Sequence, residues 1–178
     1  MALSNQQMVE GCRKHNAKAQ RALYDELAPM CMGVCHRYIA DRDEAQDLLQ
    51  DGFVRIFEQI GRLRDPDKLR PWAYAVMVNT CVSYLRRAKR LKVMEDLAHL
   101  SMEPDEEALV PYSMADIRKA IDSLSERTRT AFNLCAIDGR SAADAAERMG
   151  TTEGNVRLLV CRARAILRQE LEYMKEEQ

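Results

Sequence analysis

Apolar residues recur at three- and four-residue intervals along most of the chain, and long alternating runs of valine and isoleucine are absent. Helix is therefore the expected element almost throughout. The pattern predicts a short helix over residues 5–15 and a longer one over 18–39, where Tyr24, Leu27, Cys31, Val34, Cys35 and Tyr38 form one stripe. Asp41 or Asp43 starts a third helix, with Leu49, Phe53, Ile56 and Ile60 on one face and Leu48 and Phe57 broadening it. A polar loop over residues 61–70 follows. Pro71, a natural first-turn residue, then opens a fourth helix that runs to about Arg90. Its apolar arc is wide: Trp72, Ala75, Val76, Asn79, Val82 and Ser83 fall near one side, and Tyr74, Val78, Cys81 and Leu85 define the next. Such a helix packs on more than one partner.

Periodicity lapses over residues 93–112, where acidic residues are punctuated by Pro104 and Pro111. It resumes at Ile117, Ile121 and Leu124; Ser125 caps a further helix packed through Ala131, Phe132, Leu134 and Cys135, which Asp138-Gly139 ends. Ser141, with Asp144 three residues on, opens a helix carrying Ala142, Ala145, Ala146 and Met149. Gly150 supplies the permissive backbone for a turn, and Thr151 or Thr152 caps the next helix. This is helix-turn-helix punctuation. In the second helix Val156, Leu159, Val160, Ala163, Ile166 and Leu167 are expected to pack inward, while Arg157, Arg162, Arg164 and Arg168 project elsewhere. Glu153 and Asn155 lie near its N-terminal end, where a major-groove helix meets base edges. The rival reading of this segment alone is a three-helix bundle with a solvated basic face. The expected fold is all-α, with two small helical domains over residues 1–92 and 113–178 joined by an acidic linker over 93–112.

Composition narrows the class. A chain of 178 residues allows one ordinary domain or two small ones. No apolar secretory core or bilayer-length apolar run is visible, so a cytoplasmic protein without membrane insertion is expected. Six cysteines occur without a paired Cys-x-x-Cys framework. Cys31, Cys35 and the adjacent His36 allow a metal-ligand pair, but both cysteines sit on the apolar stripe, where cysteine acts as a small hydrophobe. Buried reduced thiols, with no metal and no cofactor, are the simpler account. The net charge of -1 conceals a segregated pattern. Residues 1–92 lean basic, residues 93–116 hold seven acidic side chains and no basic one, and the remainder is nearly balanced. Arg86, Arg87, Lys89, Arg90 and Lys92 put five positive charges into seven residues, suited either to a solvated helix C-terminus or to phosphate contacts.

Particular motifs then stand in a telling order. They are Asp47-Leu48-Leu49-Gln50-Asp51-Gly52-Phe53-Val54-Arg55-Ile56-Phe57, Pro71-Trp72-Ala73, Val78-Asn79-Thr80 and Tyr84-Leu85-Arg86-Arg87 in the first block. In the second they are Leu124-Ser125-Glu126-Arg127-Thr128-Arg129, Asp138-Gly139-Arg140-Ser141, Ala145-Ala146, Met149-Gly150 and Arg162-Ala163-Arg164. In this order, over nearly its full length, the chain resembles bacterial sigma-70-type transcription initiation factors, specifically the small extracytoplasmic-function class with two conserved domains.

The resemblance implies a non-catalytic subunit that joins core RNA polymerase, through its beta and beta-prime subunits, and directs it to promoters. Residues 1–92 correspond to the sigma region 2 helical bundle and residues 113–178 to the sigma region 4 helix-turn-helix. The 43–60 helix matches the element that docks on the largest polymerase subunit, with Asp47, Gln50, Asp51, Phe53 and Arg55 as the contact window. Phe53 has a second reading, as core. The 61–90 segment matches the reader of the melted minus-ten element on the non-template strand. There Arg64, Asp65, Asp67 and Lys68 accommodate an unstacked base, and Arg70, Asn79, Arg86, Arg87 and Arg90 contact backbone or junction. Trp72 suits either base stacking or, more readily, packing. The linker is either a nucleic-acid mimic in a basic channel or a solubilising tether. Recognition of the duplex minus-thirty-five element falls to Glu153, Asn155, Arg157, Leu158 and Arg162, with phosphate contacts over Arg140, Arg162 and Arg164. The chain departs from the usual polar and basic continuation by reading Arg157-Leu158-Leu159-Val160-Cys161. Leu158 or Leu159 is then free to meet a partner such as an anti-sigma factor, or thymine methyls. The family also implies nucleoid association within holoenzyme. The main rival is a helix-turn-helix regulator acting without polymerase, which has no obvious use for the 43–90 segment.

Overall fold

A computed structural model describes residues 3–88 and 113–176; Arg90 and the 93–112 linker lie outside the described residues. All regular elements among the described residues are helical. The chain divides into two compact units, Met1–Tyr84 and Leu85–Gln178.

The first unit contains α1 (Asn5–Arg13), α2 (Ala17–Tyr38), α3 (Arg42–Gln59) and α4 (Leu69–Arg87), the last extending past the unit boundary. Side chains define the starts. Ser4 and Gln7 form a reciprocal capping box on α1, the Asn16 side chain accepts from the Ala19 N–H, and Asp41 accepts from the N–H groups of Asp43 and Glu44. The apolar stripe expected on α2 is the spine of the core: Leu27, Cys31, Val34, Cys35 and Tyr38 are buried. Met8, Val9 and Cys12 of α1 cover one side of this core, Leu48, Leu49, Phe53 and Ile56 of α3 another, and Ala73, Met77, Val78 and Cys81 of α4 complete it. Each large apolar side chain withdrawn from water stabilises the bundle by about 1.5–3 kcal/mol.

The 61–70 loop is more ordered than its polarity suggests. It holds two single 3-10 turns, Ile60–Arg62 and Pro66–Lys68, and α4 begins at Leu69, two residues ahead of Pro71. A proline in the first helical turn removes only an N–H that has no intrahelical acceptor, so α4 accommodates it.

The second unit holds α5 (Met114–Ser123), α6 (Glu126–Phe132), α7 (Ala142–Met149) and α8 (Glu153–Glu176), and α8 packs on the other three. Ser113, Ser125 and Ser141 cap α5, α6 and α7, each accepting from a backbone N–H three residues on. After α6 the backbone widens into a π-helical turn at Asn133–Ile137 before the Asp138-Gly139 break. Val156, Leu159 and Ala163 bury the inward face of α8, whereas Val160, Ile166 and Leu167 are only half-buried, a narrower stripe than expected.

Candidate nucleic-acid and protein interfaces

The outer face of α3 follows from helical spacing. Asp47, Gln50, Asp51, Val54 and Glu58 recur at three- and four-residue steps and are all exposed, while Arg55 at the edge is half-buried. Phe53 points the other way: it is 3% exposed, with its ring centroid 4.4 Å from that of Tyr24 and 6.0 Å from that of Phe57. The core reading of Phe53 therefore holds, and its ring is not available to a partner. The apolar group on the acidic ridge is Val54, 56% exposed, which the motif reading passed over. Its signal lay in the sequence, as an apolar residue out of register with Leu49, Phe53, Ile56 and Ile60.

The loop between α3 and α4 is fixed from beneath. Leu63 and Leu69 are buried anchors, and the Arg13 guanidinium of α1 donates to the Leu63 carbonyl. Asp65 caps the second 3-10 turn, accepting from the Asp67 N–H at 3.1 Å, and its carboxylate lies 4.0 Å from the Lys68 ammonium. These contacts leave Arg64, Lys68 and Arg70 exposed. Along α4, Asn79 and Arg86 are seven residues apart on one exposed arc with the half-buried Trp72, Ala75, Val76 and Ser83. Arg87 borders that arc, whereas Arg70 projects about 180° from Asn79 around the axis. The structure thus groups Asn79, Arg86 and Arg87 and leaves Arg70 with the loop. Tyr74 is half-buried, its hydroxyl accepting from Arg37, whose guanidinium lies 5.5 Å from the ring centroid.

In the second unit the turn between α7 and α8 is built locally. Gly150 adopts φ 68°, a left-handed conformation that favours glycine, and the Thr151 N–H returns to the Ala146 carbonyl at 3.0 Å. Thr152 is the cap of α8, accepting from the Asn155 N–H at 3.3 Å. The side chains expected to read DNA then separate into two rows. Glu153, Arg157 and Arg164 share one, and Asn155, Leu158 and Arg162 the other, with Gly154 and Cys161 between them. Leu158 is half-exposed and Leu159 buried, so only Leu158 of that pair is open to a partner. Glu153 and Arg157 form an ion pair, and Asn155 Nδ2 donates to Thr151 Oγ1 at 3.2 Å. Arg140 lies 3.7 Å from the Asp144 carboxylate, which Arg148 also meets at 3.0 Å. Arg140 therefore comes to any phosphate already paired, while Arg164 is exposed.

Among the described residues no group of three or more His, Cys, Asp or Glu side chains is arranged to hold a metal, and no helix is long and apolar enough to cross a membrane.

A capped helix-turn-helix with an arginine-bearing second helix, in a chain that also carries a helical bundle, has the architecture of a DNA-binding transcription protein. Residues 23–91 match the family model of sigma-70 region 2, and residues 114–167 match that of sigma-70 region 4. The chain is 28% identical to the RNA polymerase sigma-H factor of Pseudomonas aeruginosa, over 97% of this chain and 96% of that protein. It is 29% identical to the RNA polymerase sigma factor SigZ of Bacillus subtilis, over 84% of this chain and 85% of that protein. Its fold is like that of the sigma factor RpoE in a complex with the anti-sigma factor NepR from Bartonella quintana, with a TM-score of 0.52 and 23% identity over 84% of this chain and 94% of that one. The chain belongs to the sigma-70 family of RNA polymerase sigma factors, in its extracytoplasmic-function class. It is a non-catalytic initiation factor that directs RNA polymerase to promoters.

Proposed function

We propose that the 1–92 domain docks on the beta-prime subunit of core polymerase through the outer face of α3 and reads the melted minus-ten element, while the 113–178 domain reads the duplex minus-thirty-five element and contacts beta. The observation that carries the docking assignment is the exposed ridge of Asp47, Gln50, Asp51 and Val54, which pairs negative charge with an uncovered apolar side chain. Charge complementarity speeds and orients such an encounter, and burial of the valine holds it. A regulator working without polymerase has no use for that ridge.

Arg64, Lys68 and the loop around them receive a base taken from the stack, and Asn79, Arg86 and Arg87 follow the strand beyond it. Arg70 and Arg90 contact the flanking phosphates, and Arg55 borders the polymerase contact. On α8, Glu153, Asn155, Arg157, Leu158 and Arg162 meet base edges in the major groove, and Arg140 and Arg164 add phosphate contacts. Leu158 also suits an anti-sigma factor, because a half-exposed leucine among arginines offers a protein partner apolar area. In holoenzyme the protein sits on the nucleoid.

The test adds purified protein to core polymerase and measures initiation across a promoter library. Stable core association with promoter-selective initiation is expected, and failure of both by a folded protein refutes the proposal. Replacing Arg86 and Arg87 together with alanine should weaken open-complex formation more than core binding. Equal loss of core binding would reassign the two arginines to docking.

A further inference from the structure

A grouping of sulfur-bearing side chains lies inside the bundle of the first unit, away from the outer face of α3. Cys31 and Cys35 stand one turn apart on α2, Met77 and Cys81 one turn apart on α4, and all four are 0% exposed. The Cys81 thiol donates to Cys35 Sγ at 4.0 Å, and Cys35 Sγ approaches Met77 Sδ at 3.5 Å. Gly52 of α3 makes room for this arrangement: a Cβ there would stand 2.3 Å from Met77 Cε.

The thiols differ in character. The hydrogen bond from Cys81 lowers the Cys35 pKa, and giving that bond, together with burial, raises that of Cys81 well above the ordinary thiol range. Burial pushes Cys31 up to about 12, so it stays protonated and unreactive. Cys81 directs its S–H at Cys35 Sγ, which places Cys35 as the attacking sulfur and Cys81 as its neighbour in waiting. The two are 46 residues apart in sequence and belong to different helices.

We propose that Cys35 and Cys81 are a site of oxidative modification, at which a peroxide converts them into a reversible disulfide joining α2 to α4. Cys35 thiolate attacks a peroxide oxygen and the O–O bond breaks, giving Cys35 sulfenic acid and, after protonation, one water from hydrogen peroxide. Cys81 sulfur loses its proton and attacks the sulfenic sulfur; the S–O bond breaks and hydroxide leaves with that proton as a second water. Two thiols are oxidised by two electrons and one peroxide is reduced. The sulfurs close from 4.0 Å to a bond of about 2.05 Å, a movement made by side-chain rotation and approach of the helices. Full burial makes the reaction wait on local opening of the bundle, so it is slow and accelerates in mildly denaturing urea.

The test uses the full-length chain carrying Cys135→Ser and Cys161→Ser, which removes the two partly exposed thiols of the second unit. After native treatment with hydrogen peroxide, intact mass should fall by two hydrogens, peptide mapping should join Cys35 to Cys81, and dithiothreitol should reverse the change. Cys81→Ala should leave a dimedone-reactive sulfenic acid at Cys35. The proposal is overturned if the bridge maps to another pair. It is equally overturned if Cys35 and Cys81 stay reduced in the folded chain, or if Cys35 goes on to sulfinic acid with Cys81 untouched. Mapping in the otherwise unaltered chain decides the matter even where an alanine variant fails to fold, and no readout involves polymerase or promoter.

Discussion

Val54→Ser separates docking from folding on α3. Val54 is 56% exposed and serine has a helix propensity close to that of valine, so the change should alter stability by no more than about 0.5 kcal/mol. Burying a whole valine side chain is worth about 1.5–3 kcal/mol. Covering the 56% that remains open is then worth about 0.8–1.7 kcal/mol, or a rise of about four- to seventeen-fold in Kd for core polymerase when the valine is lost. Its neighbour provides the contrast. Phe53→Ala opens a cavity beside Tyr24 and should cost about 3–5 kcal/mol of stability. Anisotropy titration of labelled protein with core polymerase, run beside urea unfolding, measures both quantities. The docking argument fails if Val54→Ser binds core as tightly as the parent, or if its affinity loss tracks a loss of stability like that of Phe53→Ala.

Gly150→Ala should destabilise the second unit by about 1–2 kcal/mol, because alanine pays for the left-handed backbone that glycine adopts freely; urea unfolding of the full chain would register it, with core binding through α3 unchanged. Arg164→Ala should weaken holoenzyme binding to all promoters alike and reduce the salt slope of binding by about one, as titrations at several ionic strengths would reveal. The Cys31 thiol has its pKa raised from 9.0 to about 12 in the fold, so its contribution is complete below pH 9 and fades as pH rises toward 12. At about 1.36 kcal/mol per unit this approaches about 4 kcal/mol as an upper bound. A Cys31→Ala variant should lack that alkaline component in unfolding measured against pH.

Local signals were readable in the chain because local chemistry decides them. Ser125 and Ser141 cap helices wherever they stand before an amphipathic run, and Gly150 marks a left-handed turn that few other residues tolerate. Helical register also explains the pair at Leu158 and Leu159: with Val156 and Ala163 buried, Leu159 completes the inward row and Leu158 falls outside it. The same register placed Phe53 in the core, yet the motif around it pointed to an interface and drew attention from Val54. Other features depend on groups far apart in sequence. Nothing near residues 61–70 announces that Arg13 will reach the Leu63 carbonyl, and no spacing rule brings Cys81 to Cys35. The separation of Asn155, Leu158 and Arg162 from Glu153, Arg157 and Arg164 was available from a 3.6-residue period, and so was the ion pair between Glu153 and Arg157, four residues apart on one helix.

The contact from Arg13 has a consequence for how promoter preference can change. α1 precedes the stretch that matches sigma-70 region 2, yet it packs beneath both 3-10 turns and holds the loop by its backbone. Substitutions on α1 can therefore shift the posture of Arg64 and Lys68 without altering any side chain proposed to face DNA. On the reading proposed above, selectivity gains a tuning point beneath the loop, where sequence can drift while Arg64 and Lys68 themselves stay fixed.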